Sequence, residues 1–244
     1  MKILIITLFA GIISVFQTYP DPFEVLKKVD KNMISDTKII KGRMIIYGKR
    51  NTREIAFISY SKGEDKSFIE YLSPAKQKGT KMLKLENNLW IYSPSADRTI
   101  QLSGHMLKQS LMGSDISYED MMEDNTLADS YNAKITSEEV LNGRKCWVIE
   151  LNAKVKDVKY EKMKIWVDEE HYIVLKEELY AKSGQMLKLI TFSEIKKVQN
   201  RWFATKMNFK DVLKNGKGTD FIIDNIQFDA PIEDYKFTKA VLKK

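Results

Sequence analysis

Short segments of alternating apolar and polar residues, separated by two-residue turn signals, run through this chain from residue 38 to residue 228. Strands of that period joined by turns that tight must run antiparallel. The segments are 38–48, 53–61, 66–73, 79–85, 89–93 and 98–102, then 131–136, 145–153, 161–167, 172–180, 186–195, 202–211 and 219–228. Asn87-Asn88, Asn142-Gly143, Ser183-Gly184 and Asn215-Gly216 supply hairpin turns. So many strands in one sheet cannot lie flat, because twist accumulates from strand to strand. The expected fold is α+β: a single strongly curved antiparallel sheet, an incomplete β-barrel, with short helices covering its concave side.

Two stretches depart from the alternation. Residues 22–33 read as a helix, with Asp21 as cap and Pro22 at the first helical position. Phe23, Leu26, Val29 and Met33 step by three and four and form its apolar stripe. Residues 105–124 are rich in Met, Ser, Gly and acid and read as loop with short helical pieces. At the N-terminus, Met1-Lys2 precedes an almost wholly apolar run over residues 3–16. That run is short of the ~20 residues of a membrane span. It fits the apolar region of a secretory signal, about 7–15 residues long. Residues 1–18 therefore read as a signal peptide and 19–244 as one domain, since no Pro- or Ser-rich linker divides them. No Cys follows the apolar run, so the chain is not read as a lipoprotein itself. One Cys in an exported chain suits an oxidising compartment.

Composition narrows the chemistry. The 244 residues carry 40 Lys+Arg against 33 Asp+Glu, a net charge of +7. The bases alternate with apolar and acidic residues rather than clustering, which fits a solvated sheet face better than a nucleic-acid path. One Cys excludes a disulfide framework, and two His leave little room for a zinc site. There is no Gly-rich phosphate loop, nucleophile elbow or paired-His motif. Ser73, Ser93, Ser103 and Ser110 lack an evident general base, and His105 and His171 stand alone. Glu119-Asp120 and Glu123-Asp124 do not have calcium-loop spacing and read as a solvated helix edge. Met106 beside His105 raises the thought of Cu(I), but the 11 Met are scattered like core filler. The expectation is no catalytic residue, no metal and no cofactor. The hollow of such a sheet is either open to an apolar ligand or plugged by long side chains.

One stretch has a family likeness. Tyr71-Leu72-Ser73-Pro74-Ala75 leads into Lys78-Gly79-Thr80, then Asn88-Leu89-Trp90-Ile91-Tyr92-Ser93-Pro94-Ser95, Arg98 and Gln101-Leu102-Ser103-Gly104. It closes with Ser110-Leu111-Met112-Gly113-Ser114-Asp115-Ile116-Ser117-Tyr118-Glu119-Asp120. The series resembles the outer-membrane lipoprotein-sorting family of periplasmic proteins, the LolA-like group. The resemblance implies a periplasmic carrier that shelters acyl chains in a hydrophobic cavity during transfer toward the outer membrane. It implies an acylated lipoprotein or lipid as cargo, an inner-membrane transporter and an outer-membrane acceptor as partners, and no nucleic acid. Wall candidates are Met44, Ile46, Leu83, Leu85, Met163 and Ile165, with Trp90 and Tyr92 or their opposite-parity neighbours Leu89 and Ile91. Lid candidates are Met106, Leu107, Leu111, Met112, Met121 and Met122. Asp115 is expected to cap a short helix that Tyr118 anchors. The alternative is a non-catalytic envelope adaptor that docks on a transport complex, its hollow filled by its own side chains.

Overall fold

The computed structural model describes residues 19–48, 50–122, 126–156 and 158–243. The expected signal peptide lies outside them. Helix α1 spans Pro22–Met33, and the Asp21 carboxylate accepts the Phe23 N–H at 3.0 Å. Its buried face is Val25, Leu26 and Val29. Phe23 and Met33, expected in the stripe, flank it instead and are 39% and 49% exposed. They sit at the two ends of the helix, beyond the material that covers its middle.

Thirteen strands follow: β1 (Thr37–Tyr47), β2 (Thr52–Lys62), β3 (Lys66–Ser73), β4 (Lys81–Leu85), β5 (Asn88–Ser93), β6 (Arg98–Leu102), β7 (Tyr131–Leu141), β8 (Arg144–Ala153), β9 (Lys162–Asp168), β10 (Val174–Tyr180), β11 (Met186–Val198), β12 (Arg201–Asp211) and β13 (Thr219–Phe228). They form one antiparallel sheet in the order β6-β5-β4-β3-β2-β1-β13-β12-β11-β10-β9-β8-β7. The turn between β4 and β5 is Glu86-Asn87, one residue earlier than expected, with Glu86 at φ +53°. Gln199-Asn200, both at positive φ, make a hairpin turn that the sequence reading passed over.

Every neighbouring pair in the sheet is consecutive in sequence except β1 with β13. That seam joins two meanders. It contains a bulge at Lys41/Gly42, which sharpens the local twist. A Cβ on Gly42 would lie 2.4 Å from the Ile222 carbonyl oxygen, so the two backbones meet there only because residue 42 lacks a side chain. The outermost strands are β6 and β7, and no ladder joins them among the described residues, so the sheet stays open. The chain must therefore pass from one edge to the other between residues 103 and 130. That connection holds the 3-10 turns Gly104–Lys108 and Leu111–Gly113 and the short helix α2 (Leu127–Ser130).

One line of directly opposed residues crosses eight strands on the concave side: Ile135, Ile149, Ile165, Glu177, Ile190, Phe209, Thr219 and Ile46. Helices α1 and α2 bury the β7–β12 part of that face, with Leu26, Ile149, Leu151 and Ile165 in the cluster. The crossing connection buries the β1–β5 part through Leu111 and Ile116 against Met44, Ile55 and Phe57. The opposite face is covered too. The C-terminal 3-10 turns Asp234–Phe237 and Lys239–Lys243 press Phe237, Val241 and Leu242 onto Phe68 and Leu83.

The seam predicts a measurable cost. Gly42→Ala should lower stability by about 1–3 kcal/mol, the range for overpacking a close-packed site. Urea unfolding measures it, and an unchanged midpoint would show that the backbones have room to part.

Candidate functional site

A pocket of about 440 Å³ lies on the concave side between the C-terminal half of α1 and strands β9–β12. Val29, Met163, Leu179, Ile190, Phe192, Met207 and Phe209 supply much of its apolar lining. Phe203 and Ala204 line it as well. The volume falls within the ~300–1,000 Å³ of small-molecule sites. The helical wall is fastened at its C-terminal end. Asn32 donates to the carbonyls of His171 and Tyr172 at 2.9 and 3.1 Å, and the Arg201 guanidinium donates to the carbonyls of Lys31 and Ile34. Further back, the Asp30 carboxylate accepts the N–H groups of Leu127 and Ala128 at 3.0 and 2.9 Å, tying α1 to α2. Burial pushes Asp30 above the ordinary carboxylate range, partly offset by those two N–H bonds.

At the side of the pocket facing the crossing connection sits a buried charge cluster. Asp120 of the connection, with a side chain only 8% exposed, accepts hydrogen bonds from the ammonium groups of Lys159 and Lys188. Its carboxylate also takes the Tyr160 hydroxyl at 3.1 Å and the Ser117 hydroxyl at 2.7 Å. Lys188 projects from β11 opposite Leu179 of β10. Asp120, Lys159 and Tyr160 all line the pocket. Asp120 bonds both ammonium groups, and Glu119 and Glu177 act on Lys159 as Asp211 and Asp115 act on Lys188. Burial, reinforced by repulsion from Lys188, pulls Lys159 down to about 7, with Glu119 and Glu177 opposing. Burial pulls Lys188 down to about 8, with Asp211 opposing and Lys214 assisting. Asp120 was expected on a solvated edge. It is instead one of the points where the connection is fixed to the sheet.

The predicted wall residues separate into three groups. Met163 lines the pocket, and Ile165 is buried beside it in the cluster under α1. Met44 and Ile46 face the same concave side but lie beneath the crossing connection. There Met44, Phe57, Ile69, Tyr71, Leu111, Met121 and Phe221 leave no free volume. Leu83, Leu85, Trp90 and Tyr92 require a correction. They point to the opposite face, packed with Phe237, Val241 and Leu242, and the Lys239 ammonium stands 4.2 Å over the Trp90 ring. The register pairs Leu83 with Trp90 and Met82 with Ile91, so Leu89 and Ile91 are the pair that faces the connection.

Met106, Leu107, Leu111, Met112, Met121 and Met122 come together over β1–β5 as one apolar patch of the connection. Polar links hold that patch, among them Lys84 donating to the Met122 carbonyl at 2.7 Å and Lys214 to the Ser110 hydroxyl at 2.7 Å. Ser110 bridges Ser117, Arg53 donates to the Met112 carbonyl at 3.0 Å, and Asp115 accepts from the Asp211 N–H and the Thr219 hydroxyl at 3.1 Å each. Asp115 is thus a cross-link to β12 and β13 rather than the expected helix cap. Gly113, at φ +75°, lets the chain turn beside the Arg53 guanidinium. Among the described residues, no group of three or more His, Cys, Asp or Glu is placed to hold a metal ion. Cys146 is buried, and its thiol is pushed up to about 11, chiefly by burial.

The sequence matches a family described as "Uncharacterized protein" over residues 63–244. No curated protein matches it. Three solved structures share the fold. A domain assigned as an outer membrane lipoprotein-sorting protein from Vibrio parahaemolyticus is 25% identical, with TM-score 0.79 over 91% of this chain and 98% of that one. A DUF1329 family protein from Desulfovibrio piger is 26% identical, with TM-score 0.80 over 91% of this chain and 100% of the other. A LolA superfamily protein from Nitrosomonas europaea is 22% identical, with TM-score 0.75 over 91% and 100% of the two chains. The likeness seen in residues 71–122 therefore extends to the fold of almost the whole chain.

The lysine cluster fixes a pH dependence. In the unfolded chain both lysines hold their protons to about 10.5, whereas in the folded protein they lose them near 7 and 8. The unfolded chain binds more protons in between, so this stability is full above about 10.5 and is lost as pH falls through about 7. The urea midpoint should rise from about pH 6 to about pH 10. In Lys159→Met the rise should be shallower, because one of the two titrating lysines is gone. An equally steep rise in that variant would show that the titration lies elsewhere.

Proposed function

The chain belongs to the family that it matches over residues 63–244, and we propose that it is a non-catalytic carrier of acyl chains in the periplasm. The observation that supports this most directly is the apolar pocket of about 440 Å³ on the concave side of an open sheet. The fold shared with lipoprotein-sorting proteins supports it independently. Burying each methylene is worth about 0.8 kcal/mol, so an acyl chain gains steadily from every carbon that enters. The cargo is a lipid or an acylated lipoprotein, bound tail first against Ile190, Phe192, Met207 and Phe209, with donor and acceptor in the two membranes of the envelope. Residues 1–18 act as the export signal.

The crossing connection acts as the lid. Its apolar patch of Met and Leu side chains already seals the β1–β5 half of the hollow. Lifting it would merge that half with the pocket and make room for longer or multiple tails. Methionine suits this role because its flexible thioether repacks around partners of different shape. Asp120 is the catch, since it fixes the lid to Lys159 and Lys188. A ligand that gains more by binding the open state than the cluster loses on separation shifts the protein open.

Purified protein should retain a fluorescent long-chain fatty acid, and native mass spectrometry should find co-purified lipid. Ala204→Trp, which fills the pocket from β12, should reduce retention at least tenfold. Val140→Asp, on the exposed outer strand, should leave it unchanged. Met121→Asp with Met122→Asp should weaken retention through the lid. A protein that carries no lipid, binds no fatty acid and instead co-purifies with a stable envelope partner would establish the adaptor reading.

A further inference from the structure

The pocket's lip carries two half-exposed apolar side chains. Met33 and Ile34, at the C-terminal end of α1, each line the pocket and are each 49% exposed. Their neighbourhood is basic. Lys27, Lys28 and Lys31 lie exposed on α1, Lys27 paired with Glu24 and Lys28 resting 4.4 Å over the Tyr172 ring. Arg201 binds the carbonyls of Lys31 and Ile34, which brings the end of the β11–β12 hairpin against this end of α1. That hairpin carries exposed Lys196 and Lys197 a few residues away. The acids here are few. Asp229 is engaged by Ser35 and Arg201, and Asp36 is exposed. Gly63 and Glu64 line the pocket beside this end of α1, with the Gly63 N–H on the Asp36 carbonyl at 2.8 Å; Glu64 and Asp36 are the acids nearest the lip, and Lys38 in the lining adds to the basic groups.

Exposed apolar side chains flanked by lysines are the pattern of an interfacial membrane contact. The apolar groups enter the boundary of the acyl layer, about 5–10 Å deep, while the ammonium groups stay among anionic headgroups. We infer that the C-terminal end of α1 is a docking point for an anionic lipid bilayer, with Met33 and Ile34 as the inserted side chains and Lys31, Lys196 and Lys197 as the headgroup contacts. The inference rests on the carrier reading. It adds where the carrier meets its membrane. Because both inserted side chains also line the pocket, docking places the pocket's lip directly on the lipid, and a tail can pass in without crossing water.

Vesicle flotation tests this with the purified protein. The protein should float with vesicles of equal parts phosphatidylcholine and phosphatidylglycerol and not with phosphatidylcholine alone. Raising the salt to about 1 M, where the Debye length is ~3 Å, should release it. Lys31→Glu with Lys197→Glu should reduce flotation at least tenfold. That variant should keep its fatty-acid retention in vesicle-free solution, since neither residue lines the pocket. Met33→Asp with Ile34→Asp should reduce flotation at least as much, and Met33→Trp should show blue-shifted emission on vesicles of the anionic mixture. Both positions are half exposed, so the substitutions leave the core intact, and circular dichroism checks this.

Three outcomes would overturn the docking point. They are no flotation of the wild-type protein, equal flotation of the Met33/Ile34 variant, or a concentration-dependent dimer that the same variant abolishes. The last would assign the lip to a second copy of this chain. Loss of fatty-acid retention in wild-type protein with flotation intact would instead remove the carrier reading and leave the membrane contact standing.

Discussion

The pairing of β1 with β13 governs the rest of this molecule. Among the described residues it is the single ladder between strands far apart in sequence, and it welds a six-strand meander to a seven-strand one. Once it forms, the two free ends of the sheet are β6 and β7, which are neighbours in sequence and opposites in space. The connection between them has no choice but to cross. On the concave side it meets a face of Met, Ile and Phe that needs cover. A cover over that face is therefore a product of topology before it is a product of sequence. The close contact of Gly42 with Ile222 is the local condition for the ladder.

Much of this was legible in the residues. The helix boundaries, the cap by Asp21 and the succession of strands follow from period and turn chemistry, and so does the curvature. What failed was the side to which individual residues point. Leu89-Trp90-Ile91-Tyr92 is apolar at every position, so alternation could not decide its faces. The reason is that β4 and β5 are covered twice, by the crossing connection on one side and by the C-terminal 3-10 turns on the other. Residues from one hundred and more positions later remove the polar face that parity reasoning needs. The concave residues of β11 and β12 had the opposite problem. Phe203, Met207 and Phe209 alternate with polar residues and line the pocket, but nothing local marks that face as the one left partly uncovered.

The charge cluster was illegible for a related reason. Asp120, Lys159 and Lys188 lie far apart in sequence, each within a run that reads as ordinary solvated surface. Only the crossing of the connection over β10 and β11 brings them together and takes them out of water. Buried ion pairs of this kind give little net stability, because desolvation consumes most of the attraction. Their value here is positional. An apolar lid on an apolar sheet has many nearly equal resting places, and a carboxylate shared by two ammonium groups has one.

The crossing connection is held by the chain itself at both margins of the sheet, so it cannot swing clear like a flap hinged on one side. It behaves as a strap. If the sheet flattens, its margins separate and the strap is drawn taut against the floor. If the sheet curls further, the strap slackens and can bow outward. The space beneath the strap is then set by the curvature of the whole sheet, and a side chain remote from the pocket that stiffens the bend also limits how wide the strap can bow.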